Sequence, residues 1–385
     1  MFLEKQTTEQ KEYYGRMLGA VGSLSRLFSE SNEPYIAYRV AENLFCKAFD
    51  ARNLSRGDTS ADASKAMLGF GIKTFLHKNG RTFEKVAEFN KDHLIFNSLS
   101  PENKILKVAE LRNERIETTK RIAGIENIIY HCVTRSEKEI FVYEEPMRTV
   151  QLETIRNLRV DKGAIHFEDA FEEYKFVVSK STLYKRFSAN NVLLDIPVSI
   201  INDPFEVVEG LVSNGTARQV VRESKTEERV FLPLYSERGK KHVPESSGLN
   251  QWNAKGRPRH PNEVYIPIPI WIHRTLPDFF PPRDTPFNLH IPNGEVLSAK
   301  VCQDNSKALM TNPNQKLGEW LLRGVLNLKE GELLTYDKLE RIGLDSVVVY
   351  KIADSEYGID FTKAGSYEGF LKGRNVGTSE GYAEE

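Results

Sequence analysis

Cysteine is scarce in this chain: Cys46, Cys132 and Cys302 are the three among 385 residues, odd in number, far apart and without a Cys-x-x-Cys pair. Neither a disulfide framework nor a zinc knuckle is expected, and a reducing cytoplasm fits best. The eight histidines are scattered, which argues against a finger-type nuclease built on clustered His and Asn. No apolar run approaches the roughly 18–20 residues that a spanning helix needs, so no membrane association is expected. The chain opens Met-Phe-Leu-Glu-Lys-Gln, charged at once, and no targeting segment is expected there. There is no Walker loop, so ATP-driven translocation is not suggested. Net charge is also missing, with Lys+Arg 53 against Asp+Glu 54. Any contact with a polyanion must therefore come from local basic patches.

What is present describes a globular chain with room for two or three domains, at 40% hydrophobic and 28% charged residues. Thr7 to Phe28 has Tyr14, Met17, Leu18, Val21, Leu24 and Leu27 at helical spacing. A second helix follows Pro34, with Ile36, Val40, Leu44 and Ala48 as its stripe. Glu42 lies off that stripe, where a solvated glutamate is the ordinary expectation. Gly69 to Leu76 alternates as a strand, and Thr82 to Asn90 reads as a helix on the spacing of Phe83, Val86 and Ala87. Pro101 opens a long helix to about Ile122. Ile125 to Val133, Glu139 to Tyr143 and Ala164 to Val178 read as strands. The first half is therefore expected to be mixed α/β, closing near Pro204. Beyond Arg229 come short apolar runs punctuated by Gly, Pro and Asn, with one helix at Leu317 to Leu326; these predict an all-β barrel or sandwich. The expected division is 1–203 and 204–385.

Two stretches carry chemistry. From Asn53 to Leu76, Asp58 and Asp62 precede a strand on which Lys73 projects from the face opposite Ile72. A lysine flanked by Phe75 and near Phe70 loses hydration and becomes easier to deprotonate, which suits a group that positions or activates water. The carboxylates suit Mg²⁺, which takes oxygen ligands. From Arg229 to His260 there are seven Lys/Arg against Glu237 and Glu245, a phosphate-facing composition. Within it Asn250, Gln251, Asn253 and Arg257 are side chains able to read base edges, while Trp252 is an anchor and Lys255 and Arg259 add charge.

Several segments resemble the B3-like DNA-binding domain of bacterial restriction endonucleases: Val264-Tyr-Ile-Pro-Ile-Pro, Phe279-Phe-Pro-Pro-Arg-Asp, Phe287-Asn-Leu-His, Pro292-Asn-Gly, Ala299-Lys-Val-Cys-Gln, Lys307-Ala-Leu-Met and Leu317-Gly-Glu-Trp-Leu-Leu-Arg. The resemblance spans about Pro204 to Phe361. It implies an open β-pseudobarrel that extends two arms into the major groove, one at Ser247 to Arg259 and the other at Asp304 to Asn314, with Asn305, Lys307, Asn312 and Asn314 on the second. The first half resembles the PD-(D/E)XK nucleases more loosely. That pattern asks for a helix glutamate, an aspartate entering a hairpin and an acid-x-lysine, which Glu42, Asp62 and Gly71-Ile72-Lys73 would supply. Gly71 stands where the second acid belongs, with Asp58, Glu42 or Glu88 as substitutes. Glu173-Tyr174-Lys175, preceded by Asp169, is a rival acid-x-lysine. A phospholipase D-like site is disfavoured, because His77-Lys78 and His131-Cys132-Val133 both miss its His-x-Lys.

Together these readings give an expectation: a bacterial type II restriction endonuclease that cuts duplex DNA with Mg²⁺ held by Asp62, Asp58 and Glu42. Lys73 would act beside them. A homodimer or higher homo-oligomer and a separate partner DNA methyltransferase go with it. A non-catalytic DNA-binding regulator and an RNA-processing nuclease are the alternatives.

Overall fold

A computed structural model describes residues 1–54, 59–89, 96, 98–213, 228–236 and 239–373. The chain divides into two compact units. The first is Met1–Ser55, Ser60–Ile116 and Ile125–Ser224, and the second is Arg56–Thr59, Glu117–Gly124 and Lys225–Glu385.

The first unit opens on helix α1 (Thr8–Ser23), which starts at Thr7 through a capping box with Gln10. Helix α2 (Tyr38–Phe49) ends at Asp50, in the left-handed conformation that closes many helices. Both lie against a six-stranded sheet in the order β1 (Arg52–Asn53), β2 (Ala63–Lys65), β3 (Leu68–Leu76), β5 (Asn127–Ser136), β6 (Glu139–Pro146) and β11 (Val192–Pro197). β3 and β5 run parallel, joined through the long helix α3 (Pro101–Ala123), and the other pairs are antiparallel. The helix-side core gathers Tyr14, Phe45, Phe49, Phe70, Ile72 and Val142. A second, antiparallel sheet has the order β4 (Arg81–Glu88), β10 (Thr182–Ser188), β9 (Glu173–Val177), β8 (Ala164–Glu168) and β7 (Arg156–Asp161). The first part of α3 packs on it through Ile105, Val108 and Leu111.

Residues 81–88 are a strand, not the expected helix. They pair along their length with β10, and a bulge at Leu183/Tyr184 sets Lys85 and Ala87 against consecutive partners. That inserted residue puts Val86 and Ala87 together against the core, which interrupts the two-residue period and imitates helical spacing. Ala164 to Val178 is likewise a hairpin rather than one strand. Its turn is tied by Asp169, whose carboxylate accepts the backbone N–H groups of Gln151, Phe171 and Glu172 at 2.8–3.0 Å.

The second unit is a seven-stranded sheet in the order β12 (Arg229–Pro233), β17 (Leu344–Ala353), β18 (Glu356–Lys363), β14 (Phe287–His290), β15 (Val296–Cys302), β16 (Ala308–Thr311) and β13 (Ile266–Pro267). Among the described strands of this sheet only β14 and β18 pair in parallel, and β12 approaches β13, so the sheet is a nearly closed barrel. The run at Val264 to Ile272 divides in two: Pro267 and Pro269 offer no ladder N–H, and after Pro269 the chain turns into the helix Ile270–Thr275. Trp271, Phe279, Phe287, Leu289, Leu321 and Tyr357 are among the residues filling the interior, together with Ile122 from the end of α3.

Candidate functional site

In the first unit the expected centre forms where β2 leaves β3. Asp62 makes the last rung, its N–H on the Phe70 carbonyl at 2.7 Å, and its Oδ2 then accepts the Ile72 N–H at 2.7 Å. The aspartate is thereby locked at the mouth of the hairpin. Glu42 comes from α2, and the structure corrects the ordinary expectation for it: the side chain is buried, with an ion pair to half-exposed Arg39 at 2.9 Å. Burial first, and then the negative charge of Asp62, push its carboxyl up to about 7, with Arg39 and Lys73 acting in opposition. Asp62 is also pushed upward by burial, against the pull of Lys73. Cys46, one helical turn beyond Glu42, is raised to about 11 by burial and by both carboxylates. Glu42, Asp62 and half-buried Lys73 thus lie within electrostatic reach of one another.

Gly71 has a steric reason to be glycine. A Cβ there would lie 2.6 Å from Met147 Cε, 3.3 Å from Tyr130 Cδ1 and 3.4 Å from the Ser60 carbonyl, so the space for a second acid is already filled. Of the proposed substitutes, Glu88 sits in the other sheet with its carboxylate on Lys85 at 2.9 Å. Asp58 lies outside the described residues. Among the described residues no group of three or more His, Cys, Asp or Glu is placed to hold a metal ion. A buried carboxylate raised by a neighbouring one, as Glu42 is by Asp62, suits a hard cation in donor chemistry, since a positive ion between them would relieve the repulsion.

The rival tripeptide is occupied otherwise. Glu173 binds Arg81 at 2.8 Å and Arg186 at 2.6 Å, while Lys175 lies over the rings of Phe83 and Tyr184 at about 5 Å. Asp169 ties its turn, as described above. Sequence reading missed Lys185, which is buried between Glu145 at 2.9 Å and Glu172 at 3.0 Å. Cross-strand register places Gly71, Tyr130 and Glu145 in one row and Lys73, Cys132 and Tyr143 two rows along. Glu145 therefore shares the face of Lys73. The signal was present in β6, whose apolar run ends in two consecutive acids, Glu144 and Glu145.

In the second unit, β16 separates the residues assigned to the second arm. Asn305 belongs to a turn at one end of this four-residue strand, with Lys307 directly before it, and Asn312 and Asn314 follow its other end. Antiparallel pairing of Ile266 with Leu309 and Pro267 with Ala308 carries the chain before β13 toward Asn312. The chain just before β13 therefore approaches the end of β16 that leads to Asn312 and Asn314, while Asn305 and Lys307 lie at the other end of that strand. All four side chains are exposed.

The 247–259 loop is anchored from below. Asn250 is buried, donating to the carbonyls of Pro244 and Leu334 and accepting the Leu334 N–H, at 2.9–3.0 Å. Its amide is spent inside the fold, which removes it from the base-reading set. Trp252 packs on the core as an anchor and Gln251 is half-buried. Asn253 is exposed with one amide hydrogen on the Glu245 carbonyl, and Lys255 is exposed. Arg259 is largely buried and donates to the carbonyls of Ala254, Lys255 and Arg257, so it braces the loop. The solvent-facing phosphate role expected for it does not fit this geometry. Arg257, by contrast, is 55% exposed.

A barrel of short strands carrying a braced, cation-bearing loop has a counterpart among known families. Residues 223–353 match the NgoFVII C-terminal B3-like DNA-binding domain. No curated protein matches the chain. The match is to a DNA-binding domain of restriction-enzyme type, which supports DNA as a partner of the second unit. The loop carrying Asn253, Lys255 and Arg257 lies inside the matched residues, as do Asn305, Lys307, Asn312 and Asn314.

Proposed function

We propose that the chain is a type II restriction endonuclease whose first unit cleaves duplex DNA and whose B3-like domain selects the site. The observation that carries this reading is Asp62, held on the Ile72 N–H where two strands part, within electrostatic reach of buried Glu42 and of Lys73. Aspartate at a diverging hairpin, lysine two residues past Gly71 and a helix glutamate support a PD-(D/E)XK reading, with Gly71 as the departure. Asp62, Glu42 and Asp58 are the residues that would hold Mg²⁺, which when bound supplies charge stabilisation at the scissile phosphate. Lys73 would position the water for in-line attack. A dimer suits symmetric cutting of both strands, and a separate methyltransferase would protect the host's own sites.

Cleavage of a DNA of known sequence tests the proposal. Wild type should cut at a defined site with Mg²⁺ or Mn²⁺. Lys73→Ala and Asp62→Asn should each abolish cutting while site binding persists, and Lys175→Ala should remain active. Full activity in excess EDTA would remove the metal from the mechanism. Site binding with no cleavage under any metal would leave a DNA-binding regulator, and preference for RNA would leave a processing enzyme.

A further inference from the structure

The arm that faces DNA contains an ion pair that sequence reading did not assign. Glu263 is buried, with 3% of its side chain exposed, and its two oxygens take Arg257 NH1 at 3.1 Å and NH2 at 2.5 Å. A guanidinium carries five N–H donors in a planar fork. Glu263 uses one from each terminal nitrogen, and the Pro258 carbonyl takes a further NH1 hydrogen at 3.1 Å. The Nε–H and the second NH2 hydrogen remain, and among the described residues neither has a partner. These two form one edge of the fork, and they point away from the carboxylate. Resting on the proposed DNA-reading role, we infer that Glu263 is a positioning residue that holds Arg257 with this edge outward, for the O6 and N7 acceptors of a guanine in the major groove.

The platform beneath the pair is rigid. The Glu263 N–H is on the His260 carbonyl at 2.8 Å, Arg259 Nε lies 3.6 Å from the same carboxylate, and Val264 is fully buried. Arg323 fixes the adjacent chain by donating to Asn262 Oδ1 at 2.8 Å and to the Pro261 carbonyl at 2.9 Å. The backbone of Asn262 in turn crosses Gly318 so closely that a Cβ there would fall 2.1 Å from its carbonyl oxygen. A carboxylate held on the protein side of its arginine is not free to swing away when DNA arrives. It also neutralises the guanidinium, which weakens the pull on phosphate and leaves directional hydrogen bonding as what Arg257 offers. Such a geometry favours a base over the backbone.

The test uses the full chain, without divalent metal, on a duplex selected by wild type from a randomised pool, on its single-base-pair variants and on random duplex. Arg257→Lys keeps the charge and loses the fork. It should erase about 5- to 150-fold of discrimination at one G·C pair, the span of one bidentate contact, and hardly change affinity for random duplex or its salt slope. Glu263→Gln should lose discrimination at that same pair, and adding it to Arg257→Lys should cost nothing further. Equal weakening on all duplexes by Arg257→Ala, with a salt slope reduced by about one, would make Arg257 a phosphate contact and overturn the inference. Tighter binding to every duplex by Glu263→Gln would make the carboxylate an electrostatic guard and overturn it as well. Wild type showing no preference at all would instead overturn the sequence-reading role beneath it.

Discussion

Replacing Glu42 by Gln should stabilise the first unit above neutral pH and leave it unchanged in acid. The Glu42 carboxyl ionises near 7 in the folded chain against an ordinary 4.5, with burial as the main cause and Asp62 second. Below the lower value both states carry the proton and Glu42 contributes no pH dependence. Between the two values the unfolded chain has ionised while the folded chain still holds its proton, so stability falls as pH rises through this window. Above about 7 both are ionised and the whole penalty applies. Each unit of separation is worth about 1.4 kcal/mol, which sets a ceiling of about 3.5 kcal/mol, and solvent screening lowers the expected gain from Glu42→Gln to about 1–3 kcal/mol at pH 8. Urea denaturation at pH 5, 6, 7 and 8 reads it. Trp252, Trp271 and Trp320 all belong to the second unit, so their fluorescence gives an internal control that should not depend on residue 42. The far-UV circular dichroism amplitude remaining beyond that transition follows the first unit. Mg²⁺ should stabilise wild type at pH 8 more than the glutamine variant, because a ligand that binds only the folded state adds stability by mass action. A gap between wild type and Glu42→Gln that is the same at pH 5 and pH 8 would refute the reasoning.

Restoring the missing acid should not improve the centre: Gly71→Asp should destabilise the first unit by about 1–3 kcal/mol through overpacking against Met147 and Tyr130 and should not raise cleavage, as denaturation and digestion assays will show. A more active Gly71→Asp would mean that the site can open to accept it. Asn250→Ala should cost the second unit about 2–3 kcal/mol, because it orphans the Leu334 N–H and two carbonyls in a buried place. Its tryptophan-detected transition should shift while base-pair preference is retained, and an altered preference at full stability would return Asn250 to the DNA-reading set.

Where the sequence was legible, one element at a time fixed its own period. α1 announced itself through Thr7 and its apolar spacing, and β3 through the apolar, β-branched and aromatic residues around Lys73. β4 was not legible because a bulge is a property of a strand pair, and nothing local in residues 81–88 shows that Leu183 and Tyr184 will face alternate residues. The short helix at Ile270–Thr275 was hidden for the converse reason. Its apolar, β-branched residues continue those of β13, and only the loss of ladder donors at Pro267 and Pro269 ends the strand.

The site was legible as a set of residue types and illegible as a set of environments. Asp62 and Lys73 could be singled out because an aspartate before a strand and a lysine within it are visible in a string of letters. Burial of Glu42 was not, since its off-stripe position suggests solvent until β2 and β3 are known to part beside it. The B3-like loop shows the same limit in reverse: Asn250, Arg257 and Arg259 look alike as hydrogen-bonding side chains, yet the fold uses the first as a buried tie, the third as a brace and leaves part of the second facing outward. What separates them is Glu263, a residue that composition counts against a DNA-binding role. A carboxylate beneath an arginine lowers the local positive charge, and by fixing the fork it converts a general attraction for phosphate into a directed pair of donors. Charge counting over 229–260 therefore finds the face proposed to meet DNA, and the buried acid just beyond that window is what would set how that face reads it.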